Sequence, residues 1–303
     1  MRLGYAPIVL KMDQAKRPMV DAQLAEKKRT FLVDTGWGIT TLRDTIARDL
    51  KRLSASSLRL DDPVLGSLTN SSMVIMDKLV LGKAQFLNQP AKIAKLKADF
   101  VRTLYDGILG CDFFIRNHCL IDCAGSRLYV RGNPIRADQS NALGQSLALS
   151  GFVEIPIEDE EVFVVSGKAN GHKFKLLVDT GSWASILDDS LKTPLGLKPV
   201  TWNVAFTGSL IPEEAKALMI GQGKIGAHPM TVAKLGTLEL GDKKWSEIHF
   251  GVADLAAWGI GEPGKSNDVQ GMLGIEMIRR SGALIDFSNH KLWMLRQEKA
   301  PAK

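Results

Sequence analysis

Two short apolar runs in this chain end in the same tripeptide: Phe31-Leu32-Val33-Asp34-Thr35-Gly36 and Leu176-Leu177-Val178-Asp179-Thr180-Gly181. A brief apolar run that stops at a glycine reads as a buried strand running into a sharp turn. Each copy therefore carries a carboxylate to the end of a strand. Two carboxylates brought together resist double ionisation, so they share one proton and divide into an acid and a base. That makes Asp34 and Asp179 the candidate catalytic residues.

The rest of the chain repeats around these two points. Asp34 and Asp179 are 145 positions apart. Gly107-Ile108-Leu109-Gly110 returns as Gly271-Met272-Leu273-Gly274 at an offset of 164, and from there the offset holds without a gap. Arg116 matches Arg280, Leu120-Ile121-Asp122 matches Leu284-Ile285-Asp286, and Leu128-Tyr129-Val130 matches Leu292-Trp293-Met294. The second copy thus carries an insertion of 19 residues, most of it around 201–219. A period this long means a duplicated domain and not a solenoid. The boundaries that follow are a first lobe over 1–132, a linker over 133–150 with no clear period, and a second lobe over 151–298.

Within each lobe the pattern is mostly β. Pro7–Asp13, Pro18–Leu24 and Arg29–Asp34 read as strands, as do Phe152–Ile157, Val162–Lys168 and Phe174–Asp179. Asn170-Gly171 is a strong hairpin signal. Leu79-Val80-Leu81-Gly82 and Leu238-Glu239-Leu240-Gly241 read as strands ending in turns. After each Asp-Thr-Gly the spacing changes. Leu42, Ile46, Leu50 and Leu53 predict a short amphipathic helix, and Leu187 and Leu191 a shorter one cut by Pro194. Pro212–Leu218 reads as a helix with proline in its first turn.

Composition narrows the function classes. Of 303 residues, 45% are hydrophobic and 24% charged, the balance of a globular chain, and the length suits two domains with real cores. The formal charge of +6 is spread out, so the chain reads as no nucleic-acid binder. No run is long enough to span a bilayer, and the first residues show no leader pattern. Cys111, Cys119 and Cys123 make no disulfide framework and read as buried thiols. His118, His228 and His249 have no metal-ligand spacing. Asp122 and Asp286 also repeat, and read as turn acids holding backbone amides.

With these residues in view, the chain resembles the retropepsin-like aspartic proteases. It looks like two retroviral-type lobes fused in one polypeptide, in the style of the bacterial aspartyl protease family proteins. Ile108-Leu109-Gly110 and Met272-Leu273-Gly274 fit the segment that in this family passes behind the Asp-Thr-Gly loop. The resemblance implies a bilobal acid-protease fold, two β-barrel lobes each with a short helix, working as a monomer with pseudo-two-fold symmetry. It implies an aspartic endopeptidase in which Asp34 and Asp179 activate a water against a peptide bond, with no cofactor and no metal. Thr35, Gly36, Thr180, Gly181 and Ser182 would support the dyad, with the Ser182 hydroxyl bonding Asp179. The polar stretches 66–72 and 221–228 would be flaps, with Gly66, Ser67, Gly223 and Ile225 against the peptide. Neither stretch contains a tyrosine, which favours a retroviral over a pepsin-type flap. The resemblance favours an exported bacterial protein.

Trp37 stands where the family has a small residue. Trp37 and Trp183 flank the two motifs, either as core packing or as cleft lining. A non-catalytic peptide-binding protein on the same fold is the alternative reading. A dimeric interaction domain joined through strand edges is a third.

Overall fold

The computed structural model describes residues 4–52, 61–62, 66–67, 73–96, 105–131, 133–158, 162–200, 224–225, 228–258 and 268–296. Each lobe is a closed six-strand barrel. In the first, the strands run in the order Pro18–Leu24, Lys27–Val33, Gly107–Leu109, Thr41–Arg43, Ala84–Ala94 and Met73–Leu81. Ala22, Gln23 and Leu24 then pair with Leu81, Val80 and Leu79 and close the ring. In the second, the order is Val164–Ala169, His172–Val178, Val269–Leu273, Ile186–Asp188, Lys243–Ala253 and Thr231–Leu240. Lys168 opposite Glu239 closes it. Closure leaves few free strand edges, which is how a sheet rich in Val, Ile and Leu avoids pairing with other chains. The hairpin at Asn170-Gly171 has φ of 49° and 83°, the paired positive values of a two-residue turn matched to strand twist.

A third sheet joins the lobes. Its six strands lie in the order Ala6–Val9, Arg127–Val130, Leu120–Asp122, Leu284–Asp286, Lys291–Leu295 and Phe152–Ile155. The repeated Leu-Ile-Asp segments meet at its centre, with Ile121 opposite Ile285. Asp122 and Asp286 serve the turns that follow. Asp122 accepts from Gly125 N at 2.7 Å, and Asp286 accepts from Ser288 N, Asn289 N and Asn289 Nδ2. One hydrophobic core runs through both lobes, and across the join Phe287 packs on Phe114 at 5.1 Å and on Phe163 at 4.5 Å between ring centroids.

The helices fall elsewhere than the spacing predicts. Leu42 lies in the strand Thr41–Arg43, which pairs in parallel with Lys92–Ala94 and antiparallel with Gly107–Ile108. Only Ala47–Asp49 forms a single 3-10 turn there. In the second lobe Ile186–Asp188 is likewise a strand, followed by a 3-10 turn at Asp189–Leu191. The barrel interior overrides the helical spacing, because two ladders satisfy more backbone groups than one isolated helical turn does. The α-helices instead begin after the glycines of the second landmark: α1 at Cys111–Arg116 and, in the second lobe, Ile275–Arg280. The segment read as a linker contains a further helix, Ala137–Leu149, with no buried residue. Gln139 starts it by accepting from Arg136 N at 3.3 Å. The helix expected at Pro212–Leu218 lies outside the described residues.

Candidate active site

The strands Lys27–Val33 and His172–Val178 bring the two Asp-Thr-Gly loops to the junction of the lobes. Each loop is braced from behind by the second landmark. Gly107–Leu109 pairs in parallel with Phe31–Val33, and Asp34 N donates to Leu109 O at 3.1 Å. Gly271–Leu273 does the same for Leu176–Val178, and Asp179 N donates to Leu273 O at 3.0 Å.

The loops interlock through their threonines. Thr35 N donates to Thr180 Oγ1, and Thr180 N donates to Thr35 Oγ1, both at 3.1 Å. Thr35 Oγ1 donates to Val178 O and Thr180 Oγ1 to Val33 O, both at 2.6 Å. Both threonines are fully buried. Each hydroxyl thus accepts and donates across the junction, which needs a side chain with both functions at both positions.

The glycines let each loop lie against the other's acid. A Cβ on Gly36 would stand 2.4 Å from Asp179 Cγ, and one on Gly181 would stand 2.2 Å from Asp34 Oδ2. Any larger residue there would displace a carboxylate. The two carboxyl groups hydrogen-bond one another. Asp34 is buried and Asp179 half-buried.

The pair is electrostatically unequal. Burial, then the Asp179 charge and the hydrogen bond to it, push the Asp34 carboxyl well above the usual carboxylate range. Burial raises Asp179 too, but the hydrogen bond from Asp34 and the N–H groups of Ser182 and Gly181 hold it back. Asp34 accepts from Gly36 N at 3.0 Å, whereas Asp179 accepts from both Gly181 N at 2.8 Å and Ser182 N at 2.9 Å. The extra backbone donor favours the anion at Asp179 over that at Asp34. Ser182 therefore touches Asp179 through its backbone. Its hydroxyl, expected on Asp179, donates instead to Ala184 O at 2.8 Å.

Three further groups escaped the sequence reading. Thr40 donates to Asp112 Oδ1 through its N and its Oγ1, at 2.7 and 2.6 Å, while its Oγ1 accepts from Gly110 N at 3.2 Å. The second lobe repeats this with Ser185 N on Glu276 Oε1 at 2.7 Å and Gly274 N on Ser185 Oγ at 2.9 Å. Each acid lies two residues after the landmark glycine, so the offset of 164 could have found the pair. Burial raises the carboxyls of Asp112 and Glu276. Cys111 Sγ donates to Thr35 O at 3.1 Å. Arg17, buried, pairs with buried Asp13 through Nη2 at 2.7 Å and Nε at 2.8 Å. The Arg17 charge opposes the rise of both dyad carboxyls.

Trp183 is buried within the main core. Trp37 is half-buried, and its Nε1 donates to Thr41 Oγ1 at 2.8 Å. Gly66–Ser67 pairs antiparallel with Asp61–Asp62, and Lys224–Ile225 with His228–Pro229. Gly223 lies outside the described residues.

This arrangement can be set beside known proteins. Residues 165–277 match the family model described as "Aspartyl protease". That range holds the second Asp-Thr-Gly loop and its bracing strand. Among solved structures, the aspartic proteinase from Irpex lacteus aligns with a TM-score of 0.51, covering 96% of this chain and 97% of that one at 13% identity. The fold is the bilobal aspartic protease fold, with a retropepsin-like family match in its second lobe. No curated protein matches the chain. Among the described residues, no helix is long and apolar enough to cross a membrane.

Proposed function

We propose that the protein is an aspartic endopeptidase whose catalytic pair is Asp34 and Asp179, acting within one chain. The observation that carries this reading is the reciprocal lock of Thr35 and Thr180, with each glycine seated on the other lobe's carboxylate. Such a lock fixes two acids against one another where ordinary turns would leave them apart.

The chemistry follows from the inequality of the pair. Asp179, the anion, takes a proton from a water held between the carboxyls, and the water oxygen attacks the peptide carbonyl carbon. Asp34 donates its proton toward the carbonyl oxygen as negative charge builds there. The tetrahedral diol then collapses: the C–N bond breaks, the amine nitrogen takes the proton gained by Asp179, and Asp34 recovers its own from the diol. No covalent intermediate forms. Asp112 and Glu276 act indirectly, by holding the loop segments at Thr40 and Ser185. The peptide lies between the lobes, and Trp37 borders it on the first-lobe side.

Digestion of a mixed peptide library between pH 3 and 7 tests the reading. Cleavage in the acid part of that range, lost in Asp179→Asn, is the expected result. Folded wild type that cuts nothing yet retains peptides would instead make it a peptide-binding protein.

A further inference from the structure

Next to Asp34 lies an apolar surface that belongs to no part of the main core. Met19, Leu32 and Ile108 form a separate cluster, one from each of three adjacent strands. Leu32 pairs with both Met19 and Ile108 in register. Side chains alternate along a strand, so Leu32 shares its face with Asp34 two residues on, while Phe31 and Val33 point into the barrel. The cluster is thus the floor of the cleft wall beside Asp34.

A binding floor awaiting a substrate side chain should be open. Here Met19, Leu32 and Ile108 are only 5%, 2% and 3% exposed. Trp37, Leu96 and Tyr105 pack over them. Trp37 is anchored at both ends: its Nε1 donates to Thr41 Oγ1, and its backbone O accepts from Cys111 N at 2.8 Å. Thr41 Oγ1 in turn donates to Ile39 O at 2.9 Å. The second lobe repeats only the backbone half of this anchor, with Ile275 N donating to Ser182 O at 2.9 Å. Ser182 stands in the place of Trp37, and Ile186, which has no acceptor, in the place of Thr41.

The geometry points to Trp37 as a specificity-determining residue, a fixed indole that fills the apolar subsite beside Asp34 and restricts the substrate residue bound there to a small side chain such as Gly, Ala or Ser. This inference rests on the endopeptidase reading but makes a separate claim about the cleft. A bulky residue on this side meets the ring in place of the floor. A steric block of this kind discriminates by about tenfold or more.

Calorimetric titration with uncleavable peptides separates the two claims. The probes carry a reduced amide at the scissile bond and either Ala or Phe at each flanking position in turn. Wild type is expected to bind the Ala form at least about tenfold more tightly than the Phe form at one flanking position. Trp37→Ala should abolish or reverse that preference. Thr41→Val, which frees the indole without opening a cavity, should weaken it. An unchanged ratio in Trp37→Ala, or no binding of either peptide to folded wild type, overturns the inference. A switched ratio in a protein that cleaves nothing retains it and defeats the endopeptidase reading.

Discussion

The unequal environments of Asp34 and Asp179 have consequences for stability as well as chemistry. The folded state raises the Asp34 carboxyl above its ordinary value of 3.8, so it binds that proton more tightly than the unfolded chain does. Stability from this group is therefore complete below the ordinary value and is lost as pH rises through the folded one. Asp34→Asn removes the ionisation and keeps the hydrogen bonds. Its thermal midpoint is expected to exceed that of wild type at pH 7, with the gap closing below pH 4; a lower midpoint at pH 7 would contradict the assignment. Arg17 works in the opposite direction, because its charge favours the ionised form of both carboxyls. Removing Arg17 alone would strand buried Asp13, at a cost of about 3–5 kcal/mol. The paired change Asp13→Asn with Arg17→Met avoids that. It should raise both dyad pKa values and move the whole pH profile of kcat/KM to higher pH, whereas a stationary profile would show that Arg17 does not act on the dyad.

At the scale of elements, what was legible is what the repeat carries twice. The Asp-Thr-Gly strands, at an offset of 145, and the Gly-apolar-Leu-Gly braces, at 164, take their expected places, while the Leu-Ile-Asp repeats, read only as turn acids, also form the centre of the joining sheet. The helix misplaced after each motif shows the limit of periodicity. Leu42 and Leu187 are helically spaced from their neighbours, but a closing barrel needed strands there. The helix Ala137–Leu149 was invisible for the opposite reason: it buries nothing and so has no apolar stripe to read. The acids behind the loops were missed because an Asp in one copy faces a Glu in the other. Their environments predict unequal sensitivity. Asp112→Ala strips the acceptor from Thr40 N and Thr40 Oγ1, while Phe113 N keeps Gly110 O. At about 1–3 kcal/mol for each buried donor left unpaired, the unfolding midpoint in urea should fall sharply. Glu276→Ala should cost less, since Ser185 N donates to its Oε1 while its Oε2 already lacks a partner among the described residues. Equal losses would show that the two acids brace their loops alike.

Over the whole molecule, duplication places both halves of a symmetric site in one chain, and divergence then makes the halves unequal. The core is continuous across the lobes, and Phe287 ties it together between Phe114 and Phe163. Unfolding should therefore be a single transition by calorimetry and fluorescence alike. Phe287→Ala should lower that one transition by about 3–5 kcal/mol without splitting it; two resolved transitions would mean that the lobes are separately stable. The central claim is that Asp34 and Asp179 act as one unit holding one proton. Its most direct test is kcat/KM on a single cleavable peptide across pH 3 to 7 for wild type, Asp34→Asn, Asp179→Asn and the double variant. Groups that act together are not additive, so each single change should cost about as much as both, on the order of 10³-fold or more, with a bell-shaped wild-type profile. A single variant that keeps substantial activity, or losses that add, would contradict the shared dyad.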